Sequence, residues 1–148
     1  MIWLSSKAFW DNIFILKGFI YFLILGYVSF YDIKTKTIPD KVHIIIILLG
    51  LININPLDSI TGLIFVPIPF LITALLKGDG IGGGDVKLMA ANGFFLGLKG
   101  GFMGSFLGLA IAIIVNAIYY KIKNNDKNIS FPLAPYLSIG CFFTYLLF

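Results

Sequence analysis

A chain of 148 residues that is 59% hydrophobic and only 12% charged, with a mean hydropathy of +0.97, carries more apolar surface than a soluble domain of this size can bury. Its net charge of +4 comes only from lysines and aspartates, and it is too small and too scattered for nucleic-acid binding. One cysteine, Cys141, and one histidine, His43, exclude an intrachain disulfide and leave too few soft ligands for a transition-metal site, so no metal and no cofactor is expected.

Taken in chain order, the first 12 residues hold Trp3, Phe9 and Trp10 among Lys7 and Asp11. They suit an interfacial lead-in better than a cleaved signal, which would need a compact apolar run and a small-residue cleavage site. Six apolar segments follow, over residues 13–31, 42–54, 60–76, 86–98, 101–120 and 133–148. The breaks between them carry turn chemistry: "DIKTKTIPDK", "NPLDS", "KGDGIGGGD", "KGG" and "KIKNNDKNISFP". The expectation is an all-α, polytopic membrane bundle of about six transmembrane helices, forming a single domain over residues 1–148. The second and fourth segments have about 13 residues, or roughly 20 Å of helix, short of the ~20 residues a full span needs. Gly97, Gly101, Gly104, Gly108 and Ala112 form a small-residue stripe suited to close helix packing.

Lysines set the expected orientation. The breaks after the first, third and fifth segments hold Lys34, Lys36, Lys41, Lys77, Lys87, Lys121, Lys123 and Lys127, against Lys7, Lys17 and Lys99 elsewhere. The positive-inside rule puts the first group in the cytoplasm and both termini outside. It also puts "DIKTKTIPD" and "KGDGIGGGD" on one face of the membrane.

Those two stretches hold the candidate chemistry. Asp85 ends "GIGGGD" and opens a helical run, and glycines before it permit positive φ and close backbone approach. As a mere helix cap it would contribute about 1 kcal/mol, yet acids within membrane segments mark function by default. Asp32 closes the first segment; its structural alternative is an exposed pair with Lys34 or Lys36, worth at most about 1 kcal/mol. Pro39 and Asp40 read as a helix start. Asp79 reads as a loop acid, Asp58 and Asp126 as loop residues, and His43 as a polar interfacial residue. "GDGIGG" matches a dinucleotide fingerprint but lies between apolar helices, not in a βαβ unit, and is set aside. Two acids facing one site without a metal suggest aspartic-protease chemistry, in which one carboxyl stays protonated and the other activates water.

The stretch "GGGDVKLMAANGFFLG" resembles the GxGD signature of the type IV prepilin peptidases, multi-pass membrane aspartyl proteases. Gly82, Gly83, Gly84 and Asp85 carry the match, followed by Val86, Lys87 and Leu88. "DIKTKTIPD" is similar to the family's first-aspartate motif, with Asp32 and the loop end Ile38-Pro39. "ISFPLAPYLSIG" resembles its proline-containing C-terminal motif through Pro132, Pro135, Tyr136, Leu137 and Gly140, while Leu133-Ala134 departs from it. The resemblance implies that Asp32 and Asp85 are catalytic. Gly82, Gly83, Gly84, Lys87, Ile38, Pro39, Pro132 and Pro135 would shape the site or bind substrate. It implies a cytoplasm-facing site that cuts a short basic leader, after a Gly and before a hydrophobic helix, from pilin-like precursors of type IV pilus or secretion systems. The expected partners are that precursor and the bilayer, with no nucleic acid. Members with N-methyltransferase activity often carry an extra cysteine-containing N-terminal loop, so this chain reads as a short form not expected to transfer methyl groups.

Three other readings use the same acids. A presenilin-like protease would share Tyr31-Asp32 and the glycine-aspartate stretch, but its usual scaffold has nine helices. A small ion transporter or channel component would use the carboxylates as ion ligands. A noncatalytic assembly subunit would need neither acid.

Overall fold

The computed structural model describes residues 2–77, 81–122 and 131–148. Asp79 and Asp126, and Lys123 and Lys127 of the orientation count, lie outside the described residues. The described residues form six helices and no strand: α1 (Ile2–Thr35), α2 (Asp40–Gly50), α3 (Pro56–Phe65), α4 (Ile68–Lys77), α5 (Gly83–Ile122) and α6 (Ala134–Leu147). In lipid the backbone must satisfy itself, and an all-helical chain does so. Three stretches are long and apolar enough to cross a membrane: Asp11–Thr35, Pro56–Leu76 and Gly83–Ile122. The chain is an all-α, multi-pass membrane bundle.

The helix boundaries follow local chemistry. Pro39 stands at the N-cap of α2 and Pro56 in the first turn of α3, where a missing N–H costs nothing. The expected third segment is one span in two pieces, α3 and α4, joined through Val66 and Pro67. Pro67 has no N–H to give the helix.

The fourth and fifth segments run together as α5, but the helix is broken at Gly97, with φ 78° and ψ −179°. A Cβ on Gly101 would lie 3.0 Å from Gly93 Cα. Eight residues of straight helix would separate them by about 12 Å, so the two arms of α5 fold back on each other. The break falls at Gly97, inside the expected fourth segment and just before the "KGG" stretch, whose own residues are helical. The small-residue stripe needs one correction: Gly97 is the hinge of the turn, not part of the packing face. Gly104 and Gly108 do lie on that face, pressed against Cys141 and Leu137 of α6, and Gly140 of α6 meets Gly104 and Gly108 in return.

Buried polar bonds fix the relative positions of the helices. Tyr21 of α1 donates to Asn92 of α5 at 2.9 Å, and its ring stacks on Phe95 at 4.1 Å. Tyr145 of α6 donates to the Phe14 carbonyl of α1 at 2.8 Å. These contacts anchor α1 between α5 and α6 and set its far end, with Asp32, beside the start of α5.

At the opposite end Asp58, at the start of α3, accepts the Leu98 N–H at 3.0 Å. Its Oδ2 lies where a Cβ on Gly97 would go. Asp58 is therefore not a plain loop acid. It caps the second arm of α5 from a neighbouring helix and fixes the turn at Gly97.

Candidate active site

Asp32 lies three residues before the end of α1, and Asp85 is the third residue of α5. Both are buried, at 4% and 8% exposure. They line one cavity of about 220 Å³ with Lys36, Thr37, Ile38, Asp40, Gly82, Gly83, Gly84 and Lys87. Of the sequence-predicted site residues, Asp32, Asp85, the three glycines, Ile38 and Lys87 are thus brought together.

Both structural alternatives for the acids differ from what is seen. Neither Lys34 nor Lys36 is ion-paired with Asp32; Lys34 sits over the Phe30 ring at 4.4 Å instead. Asp85 is inside the first turn of α5 rather than at its N-cap, and its Oδ1 is buried with no hydrogen-bond partner among the described residues.

The glycines act through space rather than through backbone conformation. None of Gly82, Gly83 and Gly84 has positive φ, contrary to the expectation from sequence. A Cβ on Gly84 would stand 3.2 Å from Ile38 Cβ, so this glycine lets the loop after Asp32 close on the start of α5. A Cβ on Gly83 would meet nothing within 4 Å.

The three prolines do not line the cavity. Pro39 caps α2 beside Ile38. Pro132 precedes α6 and Pro135 is in its first turn. The contribution of that motif is the backbone between them: Ala134 N–H donates to Asp32 Oδ2 at 3.2 Å. Position 134 departs from the family pattern in side chain, but an N–H is common to all residues except proline. The bond fixes one oxygen of Asp32 and ties α6 to the end of α1.

Asp40 lines the cavity as well as starting α2. It accepts a 2.8 Å bond from Lys87, which bridges α2 and α5 across the rim. The hydrogen bond and the charge of Lys87 hold Asp40 below the usual carboxylate range. His43 is buried, with its Nδ1 3.8 Å from Asp40 Oδ1. Sequence gives no signal for the burial of His43 or for the bond from Ala134, because both depend on how distant helices meet.

The sequence profile of the type IV leader peptidase family matches residues 19–120. The chain belongs to this family. The match runs through Asp32 and Asp85 and covers the whole cavity lining. The prepilin leader peptidase/N-methyltransferase of Bacillus subtilis is 31% identical over 133 residues, 86% of this chain and 54% of the relative. The protein of the same name from Xanthomonas campestris pv. campestris is 28% identical over 120 residues, 74% of this chain and 42% of the relative. The chain spans about half the length of these curated relatives. No solved structure matches it.

Proposed function

We propose that this family member is an aspartic endopeptidase that removes the short leader of type IV pilin precursors at the cytoplasmic face of the membrane. One observation carries the reading: two carboxyls from different helices are buried in one cavity, and among the described residues no lysine is ion-paired with either. Burying two acids in one cavity is costly, and among the described residues no hydrogen-bond partner offsets the cost at Asp85 Oδ1.

The chemistry follows from the pair. Two acids buried in one cavity oppose each other's ionisation, so in this reading one carboxyl of the pair Asp32 and Asp85 holds a proton. The ionised carboxyl takes a proton from a water as its oxygen bonds to the scissile carbonyl carbon. The protonated carboxyl hydrogen-bonds to the carbonyl oxygen where negative charge develops. Collapse breaks the C–N bond, and a proton passes to the leaving nitrogen. The products are the leader's new carboxylate and the new terminal amine of the mature chain.

Gly84, closed on Ile38, and the open Gly83 leave one side of the cavity free of side chains, which suits an extended peptide backbone. Lys36, Lys87 and Asp40 make the rim of the cavity charged, with Asp40 its acidic group. Methyl transfer is no part of the proposal.

The test is purified protein in lipid vesicles with a precursor made of a basic leader, a glycine and an apolar helix. The expected result is one cut after the glycine, giving a mature chain with the mass and N-terminal sequence of the apolar segment. Ion flux across the same vesicles without cleavage would establish the transporter reading instead.

A further inference from the structure

His43 is a buried titratable group that the proposed chemistry leaves unused. It is 6% exposed, on the side of α2 that also buries Val42 and Ile46. Its ring faces the backbone carbonyls of Gly84 and Asp40, and of the two Gly84 acts on it more strongly. The charged groups it faces are Asp40 of α2 and Lys87 of α5. Asp40 Oδ1 stands 3.8 Å from Nδ1, beyond hydrogen-bond reach, and is already held by Lys87 at 2.8 Å. Burial holds the ring below its ordinary value, against the pull of the carbonyls and Asp40. Near pH 7 the ring is therefore neutral and has one N–H to give.

The Gly84 carbonyl leads directly to Asp85. That carbonyl and the Asp85 N–H belong to one planar peptide unit. The N–H end of the unit donates to the Gly82 carbonyl at 3.0 Å. The carbonyl end faces His43. Three glycines in a row have more backbone freedom than any other tripeptide, so the start of α5 needs holding from outside. Ile38 packs on one side of Gly84, and His43 of α2 supplies a polar contact.

The two acids differ in how they are aimed. Asp32 is held at the carboxyl itself, where Oδ2 accepts the Ala134 N–H at 3.2 Å. Asp85 Oδ1 has no such bond among the described residues, so its direction depends on the backbone that carries it. The contact from His43 to Gly84 is wider than a full hydrogen bond, since among the described residues neither ring nitrogen meets that geometry. Hydrogen bonds in active sites are often long before substrate binds and tighten when it does.

We propose that His43 is a positioning residue of this site: its ring N–H holds the Gly84 carbonyl and so aims the Asp85 carboxyl toward Asp32 and the scissile bond. The proposal rests on the peptidase reading and adds a residue from a third helix to the pair of acids. A histidine that only fills space is replaceable by an apolar side chain of similar size. A histidine that donates is replaceable only by another donor.

The experiment uses the full chain in lipid vesicles with the precursor of basic leader, glycine and apolar helix. His43→Phe keeps a ring and removes the donor. His43→Asn and His43→Gln remove the ring and keep an amide N–H, near the places of Nδ1 and Nε2. His43→Phe should lower kcat about tenfold or more, as small misplacements of reacting groups do, with KM changed by no more than about twofold. At least one of the two amides should recover most of the loss. A packing role gives the reverse order, because phenylalanine fills the core and the amides do not. A second measurement does not need cleavage. In the Asp32→Asn background, the infrared band of the Asp85 carboxyl, isolated by subtracting the spectrum of the Asp32→Asn, Asp85→Asn protein, should shift in His43→Phe and return with the rescuing amide. Where His43→Phe does not accumulate, His43→Leu is read in the same way. Wild-type kcat in the apolar variant, amides no better than that variant, or an Asp85 band indifferent to position 43 would each overturn the proposal. Failure of the peptidase reading looks different: the unmodified protein leaves the precursor uncut, while the Asp85 band still follows the side chain at 43.

Discussion

The two ends of the bundle each place an aspartate against glycines at a helix start, and they use them in opposite ways. At one end Asp58 gives Oδ1 to the Leu98 N–H and presses Oδ2 on Gly97, whose φ of 78° excludes other residues. At the other end Asp85 keeps Oδ1 buried without a partner, and Gly83 beside it faces open space. A carboxylate occupied by backbone donors and packed on a glycine is architecture. A carboxyl buried in one cavity with another acid is what the proposed proton transfer would use.

The largest effect expected from this contrast is on activity. Asp85→Asn and Asp32→Asn should each lower precursor cleavage by about 1,000-fold or more, while the protein still accumulates in the membrane and melts within a few degrees of wild type. Asp58→Asn should do the reverse, losing about 1–2 kcal/mol of stability with the Leu98 bond weakened and keeping near-normal cleavage per folded molecule. Thermal melts in detergent and cleavage rates on the same preparations check both. An Asp58→Asn protein that folds normally but does not cleave would erase the distinction between the two ends.

Glycine substitutions sharpen the contrast at smaller scale. Gly97→Ala meets both an unfavourable φ, on the order of 1–3 kcal/mol, and the Asp58 carboxylate, so its accumulation and melting temperature should fall most. Gly84→Ala crowds Ile38 at 3.2 Å and should cost cleavage several-fold through displacement of Asp85, with a modest change in stability. Gly83→Ala should change neither. Equal behaviour of the alanines at 83 and 84 would show that the glycines do not act by close approach.

The pattern of what was legible in the sequence follows from these same residues. Apolar segments and their proline and glycine breaks are local, so the helices could be read directly, and the turn at Gly97 was placed slightly late, at "KGG". The acids stood out because charge is rare in such a chain. Asp58 looked like a loop acid because its partner, the Leu98 N–H, is 40 positions away and is freed only when Gly97 breaks the helix. Ala134 was hidden for a related reason: a backbone donor has no side-chain signature. The glycines before Asp85 were read as permitting positive φ and close approach; only Gly97 among the described glycines has the first, while Gly84 against Ile38 uses the second. Sequence gives a glycine's permission, and the packing decides whether it is used for φ, for contact, or for neither.

The smallest expected effect concerns the rim. Asp40 and Lys87 join α2 to α5 at 2.8 Å, but both side chains are well exposed, at 73% and 60%. An exposed pair is screened by water and salt, so Lys87→Ala should leave the melting temperature nearly unchanged at neutral pH. The sign of its pH dependence is fixed all the same. Lys87 lowers the folded-state value of Asp40 below that of the unfolded chain. The pair's small contribution is therefore fully present above the unfolded carboxylate value of about 4 and disappears as pH falls through the lower folded value. Melts of wild type and Lys87→Ala should differ slightly at pH 7 and converge in strong acid, and added salt at pH 7 should shrink the gap in the same way. A gap that widens in acid would mean that Lys87 acts on the buried acids rather than on Asp40, and the rim would then belong with the catalytic end of the comparison.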